Sequence, residues 1–217
     1  EVNGPVSQNE LCIITVGDTK LMAEVIKVNG KNAAVQVFES TRGLKNGDVV
    51  EFEDRMLEAT LGPGLLSSSY DGLQNDLTTM TGVFLKKGEY TDPLNHEKLW
   101  DFTPIAKPGD KVVAADWLGE VKEGWLPHKI MVPFAFKGEY TVKSVVPAGQ
   151  YNIDTVIAVL TNAEGEDVNV TMYQKWPVKV AVKGYKDTPR PSKIMETGVR
   201  AIDTLNPIAE GGTGFIP

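Results

Sequence analysis

The sequence has very few residues of the kinds that build disulfides, metal sites or membrane spans. Cys12 is the only cysteine, so no intramolecular disulfide is possible, and its apolar neighbours predict a buried, unreactive thiol in a reducing compartment. His96 and His128 are the only histidines, and neither has cysteines or carboxylates at ligand spacing, so no metal site is expected. No apolar run approaches the ~18 residues that span a bilayer, and no basic segment precedes a hydrophobic stretch as in a signal peptide. Any association with a membrane would therefore be through partners.

Basic clusters are also missing, and the net charge is −7. Binding to nucleic acid requires Lys and Arg gathered along a surface that faces the phosphates, so a nucleic-acid role is not expected. With 217 residues, of which 41% are hydrophobic, the chain has enough apolar side chains to build one large or two small domains.

The last stretch of the chain, TGVRAIDTLNPIAEGGTGFIP, has the composition that usually precedes a phosphate-binding loop. It predicts a short amphipathic helix near 198–205, with Val199, Ile202 and Leu205 on one face, and then a glycine turn and the start of an apolar strand. The loop itself, GxxxxGK[ST], is not in the sequence. Its backbone amides, lysine and hydroxyl hold phosphates and Mg²⁺. We therefore expect the P-loop directly after Pro217, and no catalytic, nucleotide-binding or metal-binding residue within these 217 residues.

Short β-strands separated by glycine turns are predicted for the amino-terminal part of the chain. Four runs alternate in polarity or are continuously apolar, and the turns GDT, NGK and KNG separate them. The predicted strands are Leu11–Val16, Leu21–Val28, Ala33–Phe38 and Asp48–Phe52. Residues 1–62 are therefore expected to form an antiparallel β-barrel.

A short helix is predicted after this barrel, within the segment LGPGLLSSSYDGLQNDL at 61–77. Apolar side chains recur there at helical spacing, and three serines are available to cap the first turn. The residues concerned are Leu65, Leu66, Tyr70 and Leu73, with Ser67, Ser68 and Ser69 as the caps.

Residues 91–177 contain a weak internal repeat. The segments KPGDKVVAADWLGEV and VPAGQYNIDTVIAVL share the same order of glycine, apolar residue, apolar pair and strand end. Two similar β units seldom bury a face alone, so a barrel sandwich with interlocked halves is expected.

The acidic NAEGED segment predicts a hairpin turn rather than a calcium loop, since the oxygen ladder of an EF-hand is missing. All four tryptophans fall in or at the edge of this region, and core or interdomain packing is favoured over an aromatic ligand platform.

Two motifs together point to one family, LGPGLLSSSYDGLQNDL and, a few residues later, TGVFLKKG. With GPVSQ, GLKNGDVV, KPGDKV, HKIMVP and YQKWPV, the chain resembles the catalytic A subunit, or alpha chain, of V/A-type rotary ATPases and ATP synthases over nearly its whole length. The resemblance implies a mainly β fold with an N-terminal antiparallel β-barrel at 1–62 and an inserted barrel-sandwich (bulge) domain, the non-homologous region, at 91–177. Residues 63–90 and 178–217 would form a truncated lead-in to an α/β P-loop domain. The bulge distinguishes A-type from F-type catalytic subunits.

The resemblance also implies a function for the parent protein. In that family the A subunit couples ATP hydrolysis or synthesis to H⁺ or Na⁺ transport, uses ATP and Mg²⁺, and alternates with B subunits in an A3B3 ring. Central-stalk and peripheral-stalk subunits are its further partners, and the complex places it in the cytoplasm, peripheral to the membrane. This chain is then expected to be a scaffold and docking region without the active site, which binds no cofactor and is no enzyme by itself.

Two alternatives come from other classes of protein. The two-fold β pattern is also similar to biotinyl or lipoyl carrier domains, with Lys129 in HKIMVP as the modified lysine. Carrier lysines lie at an exposed hairpin tip, usually between methionines, whereas Lys129 leads straight into the apolar residues 130–132. The other alternative is a non-catalytic assembly module whose parent has no role with nucleotides. A GPxGxGK[ST] loop beyond Pro217 would decide for the ATPase.

Overall fold

The computed structural model divides into two compact units, Glu1–Val182 and Lys183–Pro217, each of which is described by itself. The first unit is built from antiparallel β-sheets, and the second contains one short helix. The mainly β fold class is thus confirmed. The structure describes residues 2–66, 68–79, 82, 86–182, 187 and 190–215.

Five strands form the amino-terminal part of the first unit. They are β1 (Glu10–Val16), β2 (Thr19–Asn29), β3 (Asn32–Val37), β4 (Val49–Met56) and β5 (Glu58–Leu61). The first four make one antiparallel sheet in the order β3–β2–β1–β4. Gly17 and Gly30 adopt positive φ angles of 59° and 58°, which allow the two tight turns that join β1, β2 and β3. All four predicted strands are therefore confirmed, and the fourth continues to Met56.

The inner face of this sheet is small and apolar. Cys12, Ile14, Leu21 and Ala23 are buried there, because alternate residues of β1 and β2 point to the same face. Burial and, secondarily, the charge of Glu10 raise the pKa of the Cys12 thiol to about 11. The thiol is therefore protonated at neutral pH, which agrees with the unreactive cysteine predicted from the sequence.

Nine further strands follow in the inserted region and at its end. They are β6 (Trp100–Pro104), β7 (Lys111–Val112), β8 (Trp117–Glu123), β9 (Leu126–Met131), β10 (Tyr140–Val145), β11 (Gly149–Tyr151), β12 (Ala158–Thr161), β13 (Asp167–Val170) and β14 (Gln174–Pro177). Eight of them form two antiparallel sheets, with the orders β11–β6–β8–β9 and β13–β12–β10–β7. The ninth, β14, pairs with β5.

The two sheets of the insertion exchange one strand each. By sequence, β6 to β9 form one half of the insertion and β10 to β13 form the other. Strand β7 nevertheless pairs with β10 in the sheet of the second half, and β11 pairs with β6 in the sheet of the first half. The halves are therefore interlocked, as the internal repeat predicts, and each sheet includes a strand from the other half.

One hydrophobic core fills the insertion. Its fully buried members include Phe102, Leu118, Val121, Val132, Val142, Ile153, Ile157, Leu160 and Val170. Gly119 on β8 makes room for the ring of Phe102, since a Cβ at this position would lie 2.3 Å from two ring carbons. That distance is far inside van der Waals contact, so a larger residue would require the strand or the ring to shift.

The prediction of a helix within residues 61–77 is wrong, since the structure has no helix among the described residues of that segment. Ser67 lies outside the described residues. Instead, the side chain of Asp71 closes a turn. Its Oδ1 accepts hydrogen bonds from the amides of Leu73 at 2.9 Å and Asn75 at 2.8 Å, and its Oδ2 accepts one from the Asn75 side chain at 2.8 Å. Burial works to raise the pKa of Asp71, but these hydrogen bonds outweigh it and hold that pKa below its usual value. An aspartate side chain that accepts hydrogen bonds from nearby amides favours a turn over a helix. Here a turn forms although the leucines have helical spacing.

The second unit contains α1 (Arg200–Leu205), which confirms the helix predicted near 198–205. Asp203 holds the segment before this helix by accepting hydrogen bonds from the amides of Thr197 and Gly198, both at 3.0 Å. The hydrogen bond from the Thr197 hydroxyl, followed by that from its amide, holds the pKa of Asp203 below its usual value.

The apolar face predicted for this helix is exposed. Its residues Val199, Ile202 and Leu205 are accessible, as is Phe215 farther along. Ile216 and Pro217, which complete the predicted strand start, lie outside the described residues.

Candidate functional site

The chain passes twice between the first sheet and the insertion, and backbone pairing ties the two passages together. Strand β5 leads out, β14 leads back, and the two pair antiparallel. Beyond them, the Val178 amide donates a hydrogen bond to the Leu57 carbonyl at 2.9 Å. The Gln74 side chain adds two bonds of 2.7 Å to Thr60, since its Nε2 donates to the carbonyl and its Oε1 accepts from the amide. The exit and the return of the chain therefore form one hydrogen-bonded junction.

A buried carboxylate holds the segment that follows β5. Glu123, at the end of β8, is only 6% exposed. Its Oε1 accepts hydrogen bonds from the amides of Gly64 at 2.7 Å and Leu66 at 3.0 Å, and its Oε2 lies 2.6 Å from Nδ1 of His128. These donors replace the water that the carboxylate loses on burial. We call this arrangement of Glu123, His128 and the amides of Gly64 and Leu66 the Glu123 clamp.

A second charged contact fixes the returning segment to the first sheet. Lys179 Nζ lies 2.7 Å from Oε1 of Glu24 on β2 and 3.1 Å from Oδ1 of Asn9. The Glu123 clamp thus holds the outgoing segment, and the contact between Lys179 and Glu24 holds the returning one. The insertion is held to the first sheet by fixed contacts and not by a free linker.

His96 lies in a small acidic cluster of the insertion. Its Nδ1 is 2.8 Å from Oδ2 of Asp154, its Nε2 is 3.1 Å from Oδ2 of Asp92, and its ring meets that of Tyr173 edge-on at 5.7 Å between centroids. The hydrogen bond to Asp154, supported by the charges of both carboxylates, raises the pKa of His96. Since both ring nitrogens have carboxylate partners, the imidazole acts as an ion-pairing group.

Lys129 is not placed as a carrier lysine would be. It lies within β9, its Nζ pairs with Glu120, and the same nitrogen stands 4.9 Å from the centroid of the Trp117 ring. The tip of the β8–β9 hairpin is formed by Gly124 and Trp125 instead. A lysine inside a strand, paired with a carboxylate and beside an indole, does not present its amine for modification, so the carrier alternative does not fit.

The acidic residues of the insertion serve local structure. The NAEGED segment joins β12 to β13 in a turn, as predicted, and Oδ1 of Asn162 accepts the Glu166 amide at 2.8 Å. Its last residue, Asp167, pairs with Lys143. Across the described residues, no three side chains of His, Cys, Asp or Glu come together in a way that would hold a metal ion.

Within the part of the chain that the structure covers, no helix is both long and apolar enough to cross a membrane.

An apolar groove of about 440 Å³ adjoins the Glu123 clamp. Its apolar walls come from the junction, from β9 and from the end of the insertion, and include Leu61, Leu65, Leu126, Ile130, Phe134 and Met172. The two basic side chains of the lining, His128 and Lys129, already have glutamate partners. The groove is thus suited to apolar side chains rather than to phosphate.

Two of the four tryptophans are exposed, so core packing is wrong for these two, and their packing against another domain stays a prediction. Trp100 is buried in the core, and Trp176 packs edge-on against Phe134 at 5.6 Å between ring centroids. Trp117 and Trp125, however, are 55% and 88% exposed. The glycine before Trp125 is the sequence signal that marks a hairpin tip and could have shown this exposure.

The geometry defines a class of protein: a β scaffold whose first sheet is locked, through a polar junction, to an interlocked sandwich. Comparison with family models gives the particular family. Residues 1–54 match the model described as the ATP synthase alpha/beta family, beta-barrel domain, and residues 91–179 match the ATPsynthase alpha/beta subunit barrel-sandwich domain. The interlocked sandwich falls within the second match, and the first sheet falls within the first match except for the last two residues of β4.

Known relatives match along the whole chain. The V-type ATP synthase alpha chain of Borrelia garinii subsp. bavariensis is 46% identical over 220 residues, which cover 100% of this chain and 38% of the relative. That of Borrelia turicatae is 47% identical with the same coverage. That of Treponema denticola is 45% identical over 217 residues, or 99% of this chain and 37% of the relative. The chain therefore belongs to the ATP synthase alpha/beta family, and it spans 38% or less of the length of these relatives.

Proposed function

We propose that this chain is the amino-terminal scaffold of the catalytic A subunit of a V/A-type ATPase or ATP synthase. The parent protein would couple ATP hydrolysis or synthesis to H⁺ or Na⁺ transport. The observation that carries the proposal is the identity of 45–47% to V-type alpha chains, which extends over both β domains and the junction between them. The exchanged strands of the sandwich agree with the barrel-sandwich family model.

In this proposal the parts of the chain have different roles. Residues 1–62 form the barrel that holds the ring of alternating A and B subunits together, and 63–90 with 178–217 lead into the nucleotide-binding domain. Residues 91–177 form an outward bulge that docks peripheral-stalk or regulatory subunits. ATP and Mg²⁺ are bound by a part of the parent outside these residues. The parent works in the cytoplasm, peripheral to the membrane through its complex.

The junction supports a mechanical role for the bulge. A domain on a flexible linker would dissipate an applied force as linker motion. Here the Glu123 clamp, the Lys179–Glu24 pair and the pairing of β5 with β14 hold the bulge to the first sheet. A load that a stalk subunit applies to the bulge would therefore reach the ring.

Calorimetric titration with Mg-ATP tests the nucleotide part of the proposal. We expect no saturable site with a Kd below about 100 μM on this chain, and a site on the full-length parent, because the phosphate-holding groups belong to the parent alone. A saturable site on the chain would contradict the assignment of nucleotide binding. A parent without a site would favour the non-catalytic assembly module.

Deletion of residues 91–177 from the parent tests the docking part. We expect assembly with stalk subunits, or coupling of ATP hydrolysis to ion transport, to fall more than ATP binding. The matched variant is Glu123→Ala, which keeps the bulge but releases its clamp, so it should lose coupling while ATP binding is retained. Equal loss of ATP binding and assembly on deletion would show that the bulge has a core structural role instead.

A further inference from the structure

Trp125 stands out on the bulge as part of an exposed patch. It is 88% exposed, and Leu99 and Leu66 are 58% and 48% exposed. The three side chains line the same depression, which has a volume of about 470 Å³. Single exposed apolar residues are ordinary, whereas a tryptophan grouped with two leucines around a concavity is typical of a contact surface. We call Leu66, Lys98, Leu99, Lys122 and Trp125 the Trp125 patch.

The depression is lined by two lysines and two carboxylates, on a chain whose net charge is −7. Lys98 and Lys122 line the depression and are exposed, and among the described residues neither forms an ion pair with a carboxylate. Of the two carboxylates in the lining, Glu123 is engaged in the clamp. The other, Asp101, accepts a hydrogen bond from a glutamine side chain at 3.0 Å. A ligand would therefore meet two exposed ammonium groups without a carboxylate partner, of which that of Lys98 lies 3.9 Å from the centroid of the Trp100 ring, and one exposed carboxylate, that of Asp101.

The Glu123 clamp keeps this patch in shape. Glu123 directly precedes Gly124 and Trp125 in the chain, and its Oε1 accepts the Leu66 amide at 3.0 Å. The hairpin tip and Leu66 are thus tied through one side chain. A surface that is ordered before binding loses less conformational entropy when a partner arrives.

We propose that the Trp125 patch binds an acidic polypeptide segment of another subunit, whose apolar side chains fill the depression while its carboxylates face Lys98 and Lys122. This inference rests on the docking role proposed for the bulge and adds the surface and the chemistry of the partner. A polypeptide fits better than a lipid bilayer, because side chains can enter a depression that a flat membrane surface would only cover. Two lysines are also too few for a nucleic acid.

A nuclear magnetic resonance titration of the intact chain tests this with two synthetic peptides. The peptides share the same leucine positions, and their charged positions are all glutamate in one and all lysine in the other. We expect the glutamate peptide to shift the indole N–H signal of Trp125 and the amide signal of Leu99, and the lysine peptide to shift neither. Trp117, which is also exposed on the bulge, is the internal control and should not respond.

Variants at exposed positions complete the test. Trp125→Ala, and separately Lys98→Glu combined with Lys122→Glu, should each weaken the glutamate peptide at least about tenfold, while Trp117→Ala leaves its affinity unchanged. Unchanged affinity in Trp125→Ala, or shifts centred on Trp117, would overturn the proposal. The proposal would also be overturned if the chain bound neither peptide but buried Trp125 in phosphatidylserine vesicles, because that result would assign the patch to a lipid surface. Each of these failures leaves the Mg-ATP result for the parent unaffected, so the inference and the proposed function fail separately.

Discussion

Glu123→Ala tests whether one buried carboxylate holds the bulge to the rest of the chain. The substitution removes the acceptor for the amides of Gly64 and Leu66 and the partner of His128. Because Glu123 is 6% exposed, water does not readily replace that acceptor. Hydrogen bonds to charged groups contribute about 1.5–3 kcal/mol each, and a buried donor left without its acceptor costs about 1–3 kcal/mol. Contributions within one network do not add, so we expect the free energy of unfolding to fall by about 3–5 kcal/mol in total.

Glu120→Ala is the matched control for this measurement. Glu120 lies on the same strand and pairs with Lys129, but it is half-buried, so its loss is expected to cost less than about 1 kcal/mol. Urea unfolding followed by tryptophan fluorescence gives both free energies, and an unchanged m-value shows that the two curves can be compared. Hydrogen exchange adds a local measurement, since the amides of Gly64 and Leu66 should exchange faster in Glu123→Ala only.

Equal destabilisation by the two substitutions, or unchanged exchange at Gly64 and Leu66, would refute the clamp. Glu123→Gln then separates the backbone contacts of the clamp from its contact with His128. The new amide oxygen still accepts from the two backbone amides, but the charge that faces His128 is lost. We therefore expect an intermediate destabilisation of about 1–3 kcal/mol, and a cost as large as that of alanine would show that the His128 contact dominates.

Three further predictions concern the insertion. Gly119→Ala should lower the free energy of unfolding by about 1–3 kcal/mol, because its Cβ would lie 2.3 Å from the ring of Phe102, and an unchanged urea midpoint would argue against this. Since the hydrogen bond to Asp154 raises the pKa of His96, this contact stabilises the fold fully below the usual pKa of about 6.5, and the gain is lost as pH rises through the raised pKa. Urea unfolding should thus show a larger difference between wild type and His96→Gln at pH 5 than at pH 9, and a constant difference would contradict the pairing. An excised 91–177 should fold alone, because the core between its sheets lies within that range, and a collapsed amide spectrum by nuclear magnetic resonance would refute this.

Local patterns in the sequence predict most of the β architecture. The strands of the first sheet follow from short apolar or alternating runs between glycine turns, a signal contained in a few residues. The interlocked halves follow from the internal repeat, because two similar units that cannot bury a face alone must share strands. The helix expected at 61–77 fails for an equally local reason, since Asp71 bonds the amides of Leu73 and Asn75 and closes a turn.

Contacts between distant parts of the chain were not predictable in this way. The clamp joins Glu123 to the amide of Gly64, a separation of 59 residues, and no periodicity connects them. A glutamate beside a hairpin tip is typical of a solvated charge, and only the fold shows that this one is buried. The same holds for the Lys179–Glu24 pair, which exists because β14 returns alongside β5.

The order of residues in the β8–β9 hairpin links docking to the junction. β8 ends at Glu123, whose side chain accepts hydrogen bonds from the amides of Gly64 and Leu66 in the outgoing segment. Trp125 follows two residues later, at the exposed tip of the hairpin. No flexible stretch separates the surface offered to a partner from the carboxylate that holds the bulge in place. A partner that pulls on Trp125 therefore pulls on the clamp, and through the clamp on the segment that leads from the first sheet. Because that segment is paired with the returning strand through the junction, the hairpin tip is connected to the first sheet by backbone pairing as well as by the clamp.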